Sequence, residues 1–179
     1  MKIMAIMGSP GTGKSTIMRK FMEGQNWQLT VDSEYPLVAH HRCGNVAILG
    51  KYEEGQLFAG TDRLSMAVQP QVVQWLEKVK SSVDAVLFEG DRLSNQSFLE
   101  HIVDNYDARI IYLDVPESER QRRYAERGSN QSEQFLRGRE TKYKNLTSNM
   151  VLQMSTTSYI HLTPEDTDAI LEDIREWIK

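Results

Sequence analysis

The 179-residue chain has a single cysteine, Cys43, which excludes an intrachain disulfide and fits a reducing compartment. Cys and His residues are nowhere set at zinc-ligand spacing. The adjacent His40 and His41 would point to opposite sides of any regular element and make a poor metal pair. No apolar run approaches the roughly 18 residues a membrane span needs. No charged leader with a cleavage site precedes the first motif, so the expected location is the cytoplasm. Repeats and low-complexity tracts are absent. Charge of one sign is also scarce: the formal net charge is −4. That value argues against a broad, non-specific nucleic-acid surface and leaves room for a local basic groove. Hydrophobic residues at 40% and charged ones at 26% are the make-up of one globular domain, 1–179, with a sizeable core and a small lid.

The chain is organised around its first sixteen residues. Lys2-Ile3-Met4-Ala5-Ile6-Met7 reads as a buried strand. It breaks into Gly8-Ser9-Pro10-Gly11-Thr12-Gly13-Lys14-Ser15, which satisfies G-x-x-x-x-G-K-[ST] in full, and residues 15–23 then have a helical pattern. Glycines let the backbone curl so that successive N–H groups cradle phosphate oxygens. Lys14 brings a point charge to the transferable phosphate, Ser15 offers a hydroxyl to Mg²⁺, and the helix dipole favours the anion.

Further along, residues 27–31 are rich in strand formers and deliver Asp32 to the end of a second strand, where parallel sheets place substrate-binding groups; a turn or helix cap is the other role open to it. Residues 46–49 form another short strand, and 51–66 read as irregular. Within the latter, Thr61, Asp62 and Arg63 follow Gly60 and together could hydrogen-bond a polar acceptor. Pro70 opens a helix with Val72, Val73, Leu76 and Val79 as its stripe. The apolar run Ala85-Val86-Leu87-Phe88 delivers Glu89-Gly90-Asp91-Arg92 to the ligand-binding edge. Glu89 or Asp91 there could hold Mg²⁺ or take the proton of an attacking hydroxyl, and Arg92 could pair with an anionic acceptor. A helix over 96–105 and a strand over 109–114 follow, then a helix begun by Pro116. From Glu117 to Lys144 eight Lys/Arg face five glutamates. Arg123 and Arg127, at i and i+4, repel unless an anion lies between them. Gly128 ends that helix, and Ser129-Asn130-Gln131-Ser132 caps the next. A helix near 146–154, a strand near 159–162 and a terminal helix from Pro164, with Ala169, Ile170, Ile174, Trp177 and Ile178 inward, complete the reading.

This order of motifs resembles the small P-loop kinases of the group that includes thymidylate and adenylate kinases. The resemblance implies a three-layer α/β fold with a mostly parallel five-stranded sheet and a lid around 117–145. It implies that Gly8, Gly11, Thr12, Gly13, Lys14, Ser15 and Thr16 hold ATP and Mg²⁺, and that Arg123 and Arg127 are the lid's arginine pair. More narrowly, Gly60-Thr61-Asp62-Arg63-Leu64-Ser65-Met66, Phe88-Glu89-Gly90-Asp91-Arg92 and Arg137-Gly138-Arg139-Glu140-Thr141-Lys142 are similar to segments of the viral 5-hydroxymethyluracil DNA kinases. That likeness implies a kinase acting on a pyrimidine-type hydroxyl, in the extreme the hydroxymethyl of a modified base in DNA within a host cytoplasm. Arg137 and Arg139 would then join the substrate-binding set. Two other functions stay open: a kinase of a free nucleoside, a nucleoside monophosphate or another metabolite, and a nucleotide switch or hydrolase with no acceptor. The guanine-specific N-K-x-D signature is absent.

Overall fold

The structure, a computed structural model, describes residues 1–53, 55–56, 58–128 and 131–179; the side chain of Arg127 lies outside what it describes. Seven strands form one sheet: β1 (Lys2–Met7), β2 (Gln28–Val31), β3 (Ala39–Cys43), β4 (Val46–Leu49), β5 (Ala85–Glu89), β6 (Asp107–Asp114) and β7 (Thr156–Ile160), in the order β2-β3-β4-β5-β1-β6-β7. The run β4-β5-β1-β6-β7 is parallel throughout, and β3 pairs antiparallel with both β2 and β4. The expected five-stranded sheet is thus the parallel portion of a seven-stranded one. Two hairpin turns add the rest, and the His40-His41 strand β3 escaped the sequence reading.

The helices are α1 (Lys14–Met22), α2 (Val68–Val79), α3 (Gln96–Asn105), α4 (Glu117–Arg127), α5 (Glu133–Thr147), α6 (Met150–Gln153) and α7 (Pro164–Ile178). In β1 every residue from Ile3 to Met7 is fully buried, as a strand covered on both faces requires. Its side chains alternate between two cores. Ile3, Ala5 and Met7, with Val86 and Phe88, pack against Val72, Trp75 and Leu76 of α2, Phe98 and Ile102 of α3, and Tyr143 of α5. Met4, Ile6 and Leu87 pack against Ile17, Met18 and Phe21 of α1 and Ile170, Leu171 and Ile174 of α7. The stripe of α7 therefore runs through Thr167 and Leu171, and Ala169 is exposed.

Helix ends follow local chemistry. Asn95 caps α3 by accepting the Phe98 N–H, Ser132 caps α5 by accepting that of Phe135, and Thr163 with Asp166 forms a capping box at α7. The expected caps Ser129 and Asn130 lie outside the described residues. The chain leaves β1 for one side of the sheet and reaches the other only through the crossover from β5 to β6. The crevice at the C-terminal ends of β1 and β5 is therefore the place where such a sheet takes a ligand. No helix among the described residues is long and apolar enough to cross a membrane.

Candidate active site

A cleft of about 640 Å³ opens at that crevice. Its inner end is the curled segment 8–15, and Glu89 to Arg92 form its floor. Asp62 joins that floor, Phe58 and Ala59 form one wall, and Tyr124, Gln131, Ser132, Phe135 and Arg139 complete the lining.

The curl is held from several sides. Lys14 Nζ donates to Gly8 O (2.7 Å) and Ser9 O (3.2 Å), and the Thr12 hydroxyl also donates to Ser9 O. The Tyr124 hydroxyl donates to Pro10 O, Arg123 Nη1 to Gly11 O at 3.2 Å, and Gly13 O accepts the Ile17 N–H. A carbonyl held outward turns the following N–H to the opposite side of the planar peptide, so the loop presents donors to its concave face. Gly13 begins α1 at φ +95°, a conformation that a residue with a Cβ rarely adopts. Gly11, Lys14 and Ser15 line one end of the cleft, and Gly8, Thr12 and Gly13 belong to the same curl behind them. Thr16 sits on the exposed side of α1 and does not line it.

Three carboxylates meet on the floor, each in a different setting. Glu89 is 1% exposed and accepts the Ser15 hydroxyl at 3.0 Å. Burial pushes its carboxyl up to about 7; Asp62 adds to the rise, and Lys14 and the Ser15 hydroxyl oppose it. The buried ring of Tyr52 lies beside Glu89 with its hydroxyl outside hydrogen-bond geometry. Asp91 is saturated: it accepts the Tyr143 hydroxyl (2.6 Å) and Lys142 Nζ (3.2 Å), and pairs with Arg139 Nε (3.1 Å). Burial opposes its ionised form, but Lys142, Tyr143, Lys14 and Arg139 together outweigh burial and hold it below the ordinary carboxylate value. Asp62 accepts the Asp91 N–H on Oδ1 at 2.6 Å, and among the described residues its Oδ2 has no donor. Burial and the neighbouring charge of Asp91 raise its carboxyl, against Lys14 and that N–H.

Segments 60–63 and 89–92 are locked face to face. The Thr61 hydroxyl donates to Glu89 O at 2.9 Å, and a Cβ on Gly60 would lie 2.2 Å from Glu89 Oε1. Thr61 is completely buried by this contact and presents nothing to the cleft. Arg63 turns away to pair with Glu53. Arg92 lines the cleft; its Nε reaches Leu64 O at 3.4 Å, and it makes no ion pair among the described residues.

Asp32 does not join these groups. It closes the edge strand β2, pairs with Lys78 Nζ at 3.0 Å, and accepts the Glu34 N–H in the turn that sequence had left as its other role. Arg123, expected beside Arg127 over the phosphates, instead braces the outer face of the loop and pairs with Glu119. The side chain of Arg127 lies outside the described residues. Arg137 is 81% exposed and pairs with Glu133, away from the cleft, whereas Arg139 lines it and stacks on Phe135 at 4.7 Å. The basic excess over 117–144 is thus largely consumed internally: Arg120 pairs with Glu140, Arg122 with Glu119 and Glu126, and Arg139 and Lys142 with Asp91.

Sequence reasoning missed Tyr124, Tyr143, Phe58, Phe135 and His161. The last follows β7 at the C-terminal edge of the sheet, and the positional rule that drew attention to Glu89 would have singled it out. His40 and His41 pack against the rings of Trp75 (tilted) and Tyr52 (edge-on) on opposite faces of β3, and no cluster of three metal-ligating side chains occurs among the described residues. Ser15 Oγ and Glu89 Oε1 are hard oxygen donors beside a phosphate cradle, a set that suits Mg²⁺.

No curated protein matches the chain. Among solved structures, a gluconokinase from Sinorhizobium meliloti 1021 is 17% identical, with 99% of this chain and 95% of that one covered at a TM-score of 0.50. A shikimate kinase from Bacteroides thetaiotaomicron is 15% identical, with 98% and 97% covered at 0.45, and an uncharacterized protein from Eubacterium ventriosum ATCC 27560 is 12% identical, with 98% and 97% covered at 0.47. At such identities the gluconokinase likeness is one of fold: the α/β P-loop kinase architecture. The model of the family described as P-loop Nucleotide Kinase3 matches residues 1–176, almost the whole chain, and this chain belongs to that family.

Proposed function

We propose that the chain is an ATP-dependent kinase that transfers the γ-phosphoryl group to a hydroxyl of a pyrimidine-type acceptor. Lys14 and the N–H groups of the curl not used within the turn, where Thr12 N–H donates to Ser9 O, bind the triphosphate. Ser15 and Glu89 are the residues that would hold Mg²⁺, which when bound offsets phosphate charge. The acceptor oxygen forms a bond to the γ-phosphorus while the bond to the β–γ bridging oxygen breaks, and ADP leaves. Asp62 receives the hydroxyl proton through its free Oδ2; Glu89 is committed to Ser15, and Asp91 to three donors. Arg92, which lines the cleft with no ion pair among the described residues, meets developing charge, and the residues from Gln131 to Arg139 close the site as a lid.

The observation that carries the acceptor class is the polarity of the cleft. Its inner end is built for phosphates, while its lining also carries two exposed aromatic rings, Phe58 (52% exposed) and Phe135 (36%). Aromatic faces set among polar side chains suit a flat heterocycle with polar edges better than a polyol. The narrowest form of the reading is the hydroxymethyl of 5-hydroxymethyluracil in DNA, supported by the likeness of segments 60–66, 88–92 and 137–142 to kinases of that base. The internal pairing of the basic residues over 117–144 favours a second form, a free nucleoside or nucleoside monophosphate.

Labelled ATP offered with hydroxymethyluracil-containing DNA, free 5-hydroxymethyl-2′-deoxyuridine, thymidine monophosphate and gluconate tests all of these. Label on a pyrimidine compound is the expected result, and DNA against free nucleoside separates the two forms. Label on gluconate alone would remove the pyrimidine reading. ATP consumption indifferent to every acceptor would make the chain a nucleotide hydrolase.

A further inference from the structure

We infer that His161, which lies behind the phosphate loop, is the positioning residue that fixes the direction of the loop's inner donors. The inference rests on the nucleotide-binding reading above. The imidazole is 5% exposed, follows β7, and has both nitrogens engaged. Nδ1 lies 2.6 Å from Thr12 O and Nε2 lies 2.7 Å from Thr167 Oγ1. A carbonyl oxygen only accepts, so Nδ1 carries the hydrogen. The Thr167 hydroxyl, at the first turn of α7, meets Nε2 and also lies 3.4 Å from Thr163 O, so both ring nitrogens have a partner.

The consequence lies on the far side of one peptide. The 12–13 peptide is planar and trans, so holding Thr12 O outward on His161 directs the Gly13 N–H into the concavity. The ring also sits where a side chain at position 13 would be: a Cβ on Gly13 would lie 2.4 Å from its Cε1. Its own carbonyl accepts Arg123 Nη2 at 3.0 Å, and the same guanidinium holds Gly11 O. Pro10, Gly11 and Thr12 therefore have their carbonyls held in succession by Tyr124, Arg123 and His161, of which only His161 lies behind the loop and outside the cleft lining. A histidine serving only as core filling would be replaceable by an apolar side chain of similar size. Here that replacement leaves a buried loop carbonyl without a donor, and it releases the peptide that aims at the phosphate.

The test compares His161→Leu with His161→Asn, whose Nδ2 can take the place of Nδ1–H, by calorimetric titration of MgATP and ADP, with thermal melting alongside. His161→Leu is expected to bind MgATP roughly 10-fold to 100-fold more weakly, the effect of an unpaired buried acceptor, with the acceptor KM within about 2-fold of wild type. His161→Asn should return affinity to within about 3-fold of wild type. Unchanged affinity in His161→Leu overturns the inference, and so does equal weakening in both variants in step with lost thermal stability. Should His161→Leu fail to fold, Thr167→Val, which removes the hydroxyl that orients the ring, must weaken MgATP binding, or the inference is wrong. A wild-type protein that binds no MgATP overturns the kinase reading itself, a result distinct from wild-type binding that the variants leave intact.

Discussion

Three acids share the cleft floor within a few residues of one another in space, and their partners alone give them different chemistry. Asp62 keeps one oxygen free, so Asp62→Asn should lower kcat by about 100-fold or more while leaving the KM for ATP within about 3-fold. Asp91 is the hub for Tyr143, Lys142 and Arg139. Asp91→Asn strands the half-buried Lys142 ammonium and should destabilise the fold by about 3 kcal/mol, read as a lower midpoint in urea. Glu89 gives a pH signature. In the magnesium-free protein burial pushes its carboxyl up to about 7, against an ordinary 4.5, so the folded state holds a proton that the unfolded chain has lost between those values. Its contribution to stability is full below pH 4.5 and disappears as pH rises through about 7. Glu89→Gln, measured in chelator, should therefore melt higher than wild type at pH 8 and close to it near pH 5; the opposite order would show that Glu89 is charged throughout. At this scale the phosphate loop was legible because the chemistry demands a fixed local spacing. The supports of that loop were not, since Tyr124 and His161 come from 114 and 149 positions away and carry no spacing rule.

Elements were legible where burial or capping dominates. Helix α3 and the start of α7 fall where Asn95 and the Thr163-Pro164-Glu165-Asp166 segment place them, and β1 and β5 are continuous apolar runs. Strand β3 was hidden because Ala39-His40-His41-Arg42-Cys43 has no apolar alternation; its two histidines are buried by packing against Trp75 and Tyr52, partners supplied only by the fold. Asp32 was misassigned for a related reason. The end of a parallel strand holds ligands only beside the switch point, and β2 lies three strands from β5. The contact between segments 60–63 and 89–92 was also beyond sequence, and it predicts a sharp intolerance. Gly60 has φ +66°, with Glu89 Oε1 where its Cβ would go. Gly60→Ala should cost at least about 2 kcal/mol and abolish turnover by displacing Glu89. Normal activity in that variant would mean that Glu89 is not held from this side.

At the scale of the whole molecule, sequence counting found a basic segment, but the fold neutralises most of it. Each free cation that meets a phosphate steepens the salt dependence of nucleic-acid binding. With Arg120, Arg122, Arg123, Arg139 and Lys142 already paired, binding to DNA should fall with salt at a logarithmic slope of magnitude below about 3. A steeper slope, measured by fluorescence anisotropy across a salt series, would reveal a basic path made by rearranging those pairs. The wall that carries Phe58 has a different kind of independence. Its two ends are stitched together at the neck, where Lys51 and Gly60 exchange both backbone hydrogen bonds and Gly50 abuts the Gly60 backbone too closely to carry a side chain. Asp62 is thus stationed by the neck and by the Asp91 N–H, while Phe58 beyond the neck is half exposed. A change of ring at position 58 could therefore exchange one acceptor for another without rebuilding the chemistry beneath.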